Sequence, residues 1–331
     1  MLGAVAIDRI ASTLRTSRGV AAKRDIAATV ARLGVSGDSV VPVGDDCAAI
    51  PDGDGYLLLA IEGFMNEFVA GDPWFAGWCG VMVNISDVAA MGGRPIAVVD
   101  AVWAPSDADA EPVLAGMHAA SRAFGVPVVG GHTNTRTDRG QLSVAILGRA
   151  RRLLTSFDAV PGDRLVAAID LRGRYREPFS NWEAATDAPA VRLRGDLEIM
   201  PAIAEAGLTC AAKDISQGGI VGTTMMLAEC SGIAATIDIT AVPRPDGVAI
   251  ERWLQTFPSY GYLLAVAPSK VDAVISRFAA RGIAAADVGA IARGSRVAIT
   301  DGRATETIWD FEREPLIGCG KAGLVNARVP A

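Results

Sequence analysis

The stretch from Trp74 to Pro95 limits the fold more than any other. From Trp74 to Ala90 apolar side chains fall on every side of a 3.6-residue helix, and Gly92-Gly93 forms a stop before Pro95. A helix without a polar face has to be covered by other layers. Asn84 and Asp87 stand three residues apart on one side of it. A carboxylate and a carboxamide buried together need a partner. That partner is either a hard cation such as Mg2+, which takes oxygen ligands, or the protein itself, in which case the pair fixes helix packing.

The chain has 331 residues, enough for two domains with separate cores. It is 50% hydrophobic and 21% charged, a globular balance. A net charge of −6 without any basic run argues against a nucleic-acid partner. Cys47, Cys79, Cys210, Cys230 and Cys319 are scattered and show no CxxC spacing, so reduced, mostly buried thiols are expected rather than a zinc site or a redox dithiol. No apolar run reaches the roughly 18 residues that span a bilayer, and the N-terminus carries no basic-then-apolar signal. The expectation is a soluble, cytoplasmic protein with no membrane partner.

In chain order, helical spacing predicts an amphipathic helix over Ala21–Leu33 and a short strand over Val40–Val43. Asp52-Gly53-Asp54-Gly55 signals a hairpin with its return strand at Tyr56–Ile61. A strand over Ile96–Trp103, a helix over Asp109–Phe124 stopped by Gly125, a buried strand over Val126–Val129 and a strand over Gln141–Ala150 complete a first unit, residues 1–152. Its strand and helix order argues for an α+β layer domain. A second α/β unit, residues 153–331, opens at the Pro161-Gly162-Asp163 turn with a strand over Leu165–Ile169. Residues 172–195 lack periodicity and read as a binding loop or a mobile one rather than a structural connector. Helices are expected at Leu197–Ala206, Ile220–Cys230 and Lys270–Ala280, and strands at Ala234–Ile239 and Gly261–Ala267.

Three further polar turns could carry chemistry. Gly44-Asp45-Asp46 sends two adjacent carboxylates out of a strand end, towards a metal or into an Asx-type turn. Gly130-Gly131-His132-Thr133 follows a strand, and its exposed N–H groups could cradle an anion beside a histidine that binds phosphate or moves a proton. A lone loop histidine is more often structural or merely exposed. Lys213-Asp214-Ile215-Ser216-Gln217-Gly218-Gly219 precedes a helix N-terminus, a favourable phosphate position. Helix capping by Asp214 or Ser216 is the plainer alternative. There is no GxxxxGK[ST] P-loop. Gly318 to Gly323 matches GxGxxG, but only eight residues follow, too few for a dinucleotide fold. His118, the other histidine, falls in the amphipathic Asp109–Phe124 helix as a surface or packing residue.

These four stretches, in this order, resemble the AIR synthase-related (PurM-like) superfamily, which includes aminoimidazole ribonucleotide synthetase, thiamine-monophosphate kinase, selenide water dikinase and a hydrogenase maturation factor. Gly44–Ile50 is similar to its GDDAAV turn, Asn84–Pro95 to its N-x-SD-x-AAMG-x-x-P helix end, Gly130–Thr133 to GGHT, and Asp214–Gly219 to the D-[IL]-S-D-G-G/L turn. The resemblance implies a two-domain protomer and a homodimer whose N-terminal halves close a β-barrel. It also implies ATP and Mg2+ as cofactors, with the γ-phosphoryl group transferred to an oxygen of a small-molecule substrate. Carried over by position, Asp45, Asp46, Asp87 and Asp214 hold metal, Asp45 directly or from behind the ligands. Gly44, Asn84, Gly130, Gly131, Thr133, Ser216 and Gly218 line the nucleotide, and His132 and Asp214 take catalytic places.

Departures narrow the choice. Where thiamine-monophosphate kinases carry GEDYEL, this chain reads Pro258-Ser259-Tyr260-Gly261-Tyr262-Leu263. The first 40 residues hold no cysteine, unlike selenide water dikinases, and the chain lacks the reactive terminal cysteine of the hydrogenase factor. No aspartate precedes Glu62, where several members have one. Asn181-Trp182-Glu183 and the GGHT stretch are closest to uncharacterised members. The alternative to a kinase or synthetase is a nucleotide-binding sensor or scaffold of the same fold without turnover. A purely structural dimerisation module, with the polar turns as caps, is a third.

Overall fold

The computed structural model of the protein describes residues 7–34 and 40–320. It opens with three short helices, α1 (Ile7–Arg15), α2 (Arg18–Lys23) and α3 (Asp25–Leu33). The expected single helix over Ala21–Leu33 is thus divided at Arg24, because the Ser17 hydroxyl accepts the Val20 N–H and starts a separate turn. Val41–Val43 forms bends and turns rather than a strand.

Next come β1 (Ala48–Asp52), β2 (Gly55–Gly63), α4 (Asn66–Gly71), α5 (Pro73–Ala90), β3 (Arg94–Trp103), α6 (Asp107–Phe124), β4 (Val128–Asn134) and β5 (Gln141–Ala150). The strands form one sheet in the order β1-β2-β5-β3-β4. Asp72 caps α5: its carboxylate accepts the Phe75 N–H at 3.2 Å, and Pro73 supplies the first helical position. α5 then packs along β5 with fifteen of its residues buried, as its all-round apolar sequence requires. The edge strands β1 and β4 do not pair with each other, so this sheet is open. His118 is exposed on α6.

The remaining elements are β6 (Arg164–Ile169), β7 (Arg174–Tyr175), β8 (Asn181–Glu183), α7 (Ala190–Leu197), α8 (Ile199–Glu205), β9 (Ala211–Asp214), α9 (Gly219–Ser231), β10 (Ala234–Asp238), α10 (Ile250–Trp253), β11 (Phe257–Pro258), β12 (Gly261–Val266), α11 (Val271–Ala279), β13 (Ala284–Ala292), β14 (Arg296–Thr300) and β15 (Thr305–Asp310). Seven strands make a sheet ordered β15-β14-β10-β13-β6-β12-β9. Residues 172–195, expected to be irregular, contain β7, β8 and the start of α7. β7 and β8 join β11 in a small sheet, where Tyr175 and Trp253 each meet Trp182 edge-on with centroids 5.3 Å apart. Aromatic packing supplies the order that periodicity does not show.

Two units emerge. The five-strand unit comprises residues 46–153 and 185–205; the seven-strand unit holds the described parts of 1–45, 154–184 and 206–331. Among the described residues no helix is long and apolar enough to cross a membrane.

Candidate functional site

In the five-strand unit the C-terminal half of α5 carries the polar pair. Asn84 is wholly buried, and its amide donates to the carbonyls of Gly80 (2.8 Å) and of Val144 on β5 (3.0 Å). The side chain therefore ties helix to sheet, while its Oδ1 has no hydrogen-bond partner. One turn on, Asp87 is 5% exposed. The Met91 thioether then accepts the Cys47 N–H at 3.0 Å and fastens the chain entering β1 to the end of α5. This places half-buried Asp46 beside Asp87, with carboxylate oxygens within 4.8 Å of each other. Two hard oxygen donors this close to each other are the ligand type that Mg2+ takes.

Gly130, Gly131, His132 and Thr133 lie elsewhere. They form no turn; they are part of the exposed edge strand β4, paired in parallel with β3. The backbone N–H cradle expected there is replaced by strand pairing on the β3 side. Register puts Gly131 beside Asp100, and His132 beside Ala101. A Cβ on Gly131 would stand 2.6 Å from an Asp100 carboxylate oxygen, so the glycine makes room for that acid. Asp100 faces the α5 side together with Val144, whose side chain crowds Gly80 of α5. His132 points to the other face and meets the Trp103 ring at 6.0 Å between centroids. Burial raises the Asp100 carboxyl above its ordinary value. Sequence reasoning missed Asp100, although an acid within the apolar run Ile96–Trp103 was a usable signal.

The seven-strand unit holds the rest. Asp45 accepts the Ser156 N–H at 2.8 Å and the Ser156 hydroxyl at 2.7 Å, one on each oxygen, so it anchors a loop as an Asx-type acceptor does. Lys213 and Asp214 are buried at the end of β9 rather than in a turn, and Asp214 pairs with Tyr262 of β12. Neither Asp214 nor Ser216 caps α9, whose N-cap is Gly218. The Ser216 N–H donates to the Thr223 hydroxyl (3.2 Å), and its own buried hydroxyl has no hydrogen-bond partner. Helix α2 sits directly on this turn, since a Cβ on Gly19 would stand 2.1 Å from the Gln217 carbonyl oxygen. Gly318 of the GxGxxG match lies in an irregular stretch and Gly320 is the last described residue, while Lys321 and Gly323 fall outside the described residues.

Two family models match the chain: the AIR synthase related protein N-terminal domain over residues 44–150, and its C-terminal domain over residues 180–302. The chain belongs to the AIR synthase-related family. A Synechocystis protein is 46% identical over 310 residues, covering 92% of this chain and 96% of its own. Among solved structures, T. maritima PurL complexed with ATP superposes with a TM-score of 0.73 at 17% identity, over 91% of this chain. This AIR synthase-related chain spans about half of that PurL chain, 53%. A ThiL structure complexed with AMPPCP and TMP gives a TM-score of 0.64 at 21% identity, over 85% of this chain and 95% of that one. These likenesses establish a mixed α/β architecture with two PurM-like domains.

Proposed function

We propose that this AIR synthase-related protein binds ATP with Mg2+ and transfers the γ-phosphoryl group to an oxygen of a small metabolite. The carrying observation is the Asp46–Asp87 pair, two carboxylates from separate motifs held together by the Cys47–Met91 bond. Asp214 is assigned to the same metal and Asp45 to the support of the turn, on the motifs that contain them. The PurL and ThiL structures that hold ATP or AMPPCP support the nucleotide. Bound Mg2+ would neutralise phosphate charge during transfer. The protein's share is to hold that charge and orient the phosphates, with His132 and Thr133 assigned to the phosphate side.

We further propose a homodimer. Ile50, Leu59, Ile61, Val99 and Leu147 are exposed by 36–69% and lie on the sheet face that α5 does not cover. A contiguous bare apolar face marks an interface, and a second copy of the same face is its natural cover. β1 and β4 are opposite edges of five strands, four spacings or about 19 Å apart. Asp46, which precedes β1, and His132, on β4, can therefore serve one nucleotide only if a second copy supplies the β4 edge.

Calorimetry of ATP binding tests both parts. Wild type is expected to bind ATP only with Mg2+, and Asp87→Asn and His132→Ala each to lose that binding. An equal mixture of the two variants after subunit exchange should recover about a quarter of the wild-type sites, because half the dimers are mixed and each has one intact site. Mg2+-independent behaviour in wild type sinks the ATP reading; zero recovery on mixing sinks the shared site. A second reading, nucleotide binding without turnover, is favoured by the Pro258–Leu263 segment, where the buried Tyr262 ring packs on Tyr260 at 4.9 Å and no carboxylate is present. Steady ATP consumption with any metabolite pool would eliminate it.

A further inference from the structure

The last turn of α9 reaches the Gly44–Asp45 turn by three consecutive residues. Glu229 is wholly buried, and its carboxylate accepts the backbone N–H groups of Leu316 (3.0 Å), Ile317 (2.7 Å) and Gly318 (3.1 Å). Successive N–H groups converging in this way form an anion nest, here filled by the protein's own side chain. Burial pushes the Glu229 carboxyl up, and the three N–H groups pull against that shift. A buried carboxylate is costly, and what it secures is the strap Leu316–Gly320. That strap lays Cys319 on Gly44, where an added Cβ would stand 2.7 Å from the Cys319 Cβ. Cys230 crowds the same position, 3.4 Å from that added Cβ, and its thiol donates to the Gly44 carbonyl at 3.7 Å. Ser231 completes the set: its hydroxyl donates to the Ser156 carbonyl at 2.7 Å, and Ser156 holds both oxygens of Asp45.

We propose that the Glu229-Cys230-Ser231 turn, with the strap it clamps, fixes the Gly44–Asp45 turn and thereby sets the Mg2+ affinity conferred by the next residue, Asp46. Glu229 is a positioning residue for the site, and this role rests on the metal reading above. Glu229→Gln keeps the shape but turns an NH2 group towards backbone donors. Two measurements on the full chain separate the claims. Amide hydrogen exchange at residues 45–47 reports the turn without nucleotide, and calorimetry reports the Mg2+ needed for ATP binding.

The variant should speed exchange at 45–47 and raise the half-saturating Mg2+ by about tenfold or more, the usual cost of losing an outer partner of a metal ligand. Val274→Ala, a core truncation in α11 that lowers the melting temperature without touching this region, should change neither. Unchanged exchange at 45–47 in Glu229→Gln overturns the positioning role whether or not ATP binds. Faster exchange with no Mg2+-dependent ATP binding in wild type supports the positioning role and removes the metal reading instead. Should Glu229→Gln not fold, Cys230→Ala, which removes the thiol that donates to the Gly44 carbonyl, carries the same exchange test with a smaller expected change; no change there overturns the proposal.

Discussion

The two main sheets use similar residues and meet opposite surroundings. In the seven-strand sheet every residue of β12 and β9 is buried, as are five of six in β6. Both faces of those strands are covered, and β12 and Leu165–Ile169 of β6 read as continuous apolar runs. In the five-strand sheet β2 alternates, with Leu58 at 0% exposure and Ile61 at 69%. Its outward positions are still isoleucine, leucine and valine rather than polar residues. A sheet with polar outward residues is finished in the protomer; one with apolar outward residues lacks a layer. The difference is the ground for the homodimer proposed above.

The largest expected effect comes from treating the two sheets alike. Leu263→Asp in β12 buries an unpaired carboxylate between two covered faces and should cost more than about 4 kcal/mol, read as loss of the folded baseline in thermal or urea unfolding. Ile61→Arg places a charge on the bare face. It should leave the protomer's own stability within about 0.5 kcal/mol while sedimentation shows dissociation to monomers. A melt as severe as that of Leu263→Asp would mean that the face is covered within the protomer, and would break the comparison.

The smallest effect concerns the β3–β4 edge of the five-strand sheet. The Asp100 carboxyl is raised by burial, so the folded state holds its proton more tightly than the unfolded chain does. Its contribution is fully present below the unfolded value near 3.8 and is lost as pH rises through the higher folded value. Asp100→Asn should therefore melt higher than wild type at neutral pH, with the gap closing as pH falls to that unfolded value. A gap independent of pH would show that titration of Asp100 is not its cause.

Much of the five-strand unit was legible because its signals are local. The Gly92-Gly93 stop, the Asp52–Gly55 hairpin and the Gly125 helix end each fix a boundary through backbone conformation alone, and β2, α5, α6 and β5 follow them. The Gly130–Thr133 stretch misled for a physical reason: two glycines suggest a turn, yet here one of them clears space for Asp100 across a strand pair. Residues 172–195 gain their order from Trp182 and Trp253, distant in sequence and invisible to periodicity. Glu229 escaped notice because nothing in an apolar helix announces that its one acid will bind a strap 87 residues away.

By itself the sequence determined the family, the fold class and the residue types of the proposed magnesium site, because motif spacing and helix stops act over a few residues. Tertiary structure alone decided which carboxylates meet. It set Asp46 against Asp87, gave Asp45 to Ser156, and put His132 on the opposite edge and face of the sheet. The physical reason is that strand order and register are settled by which apolar faces can be covered, and neither is encoded in any single stretch of the chain.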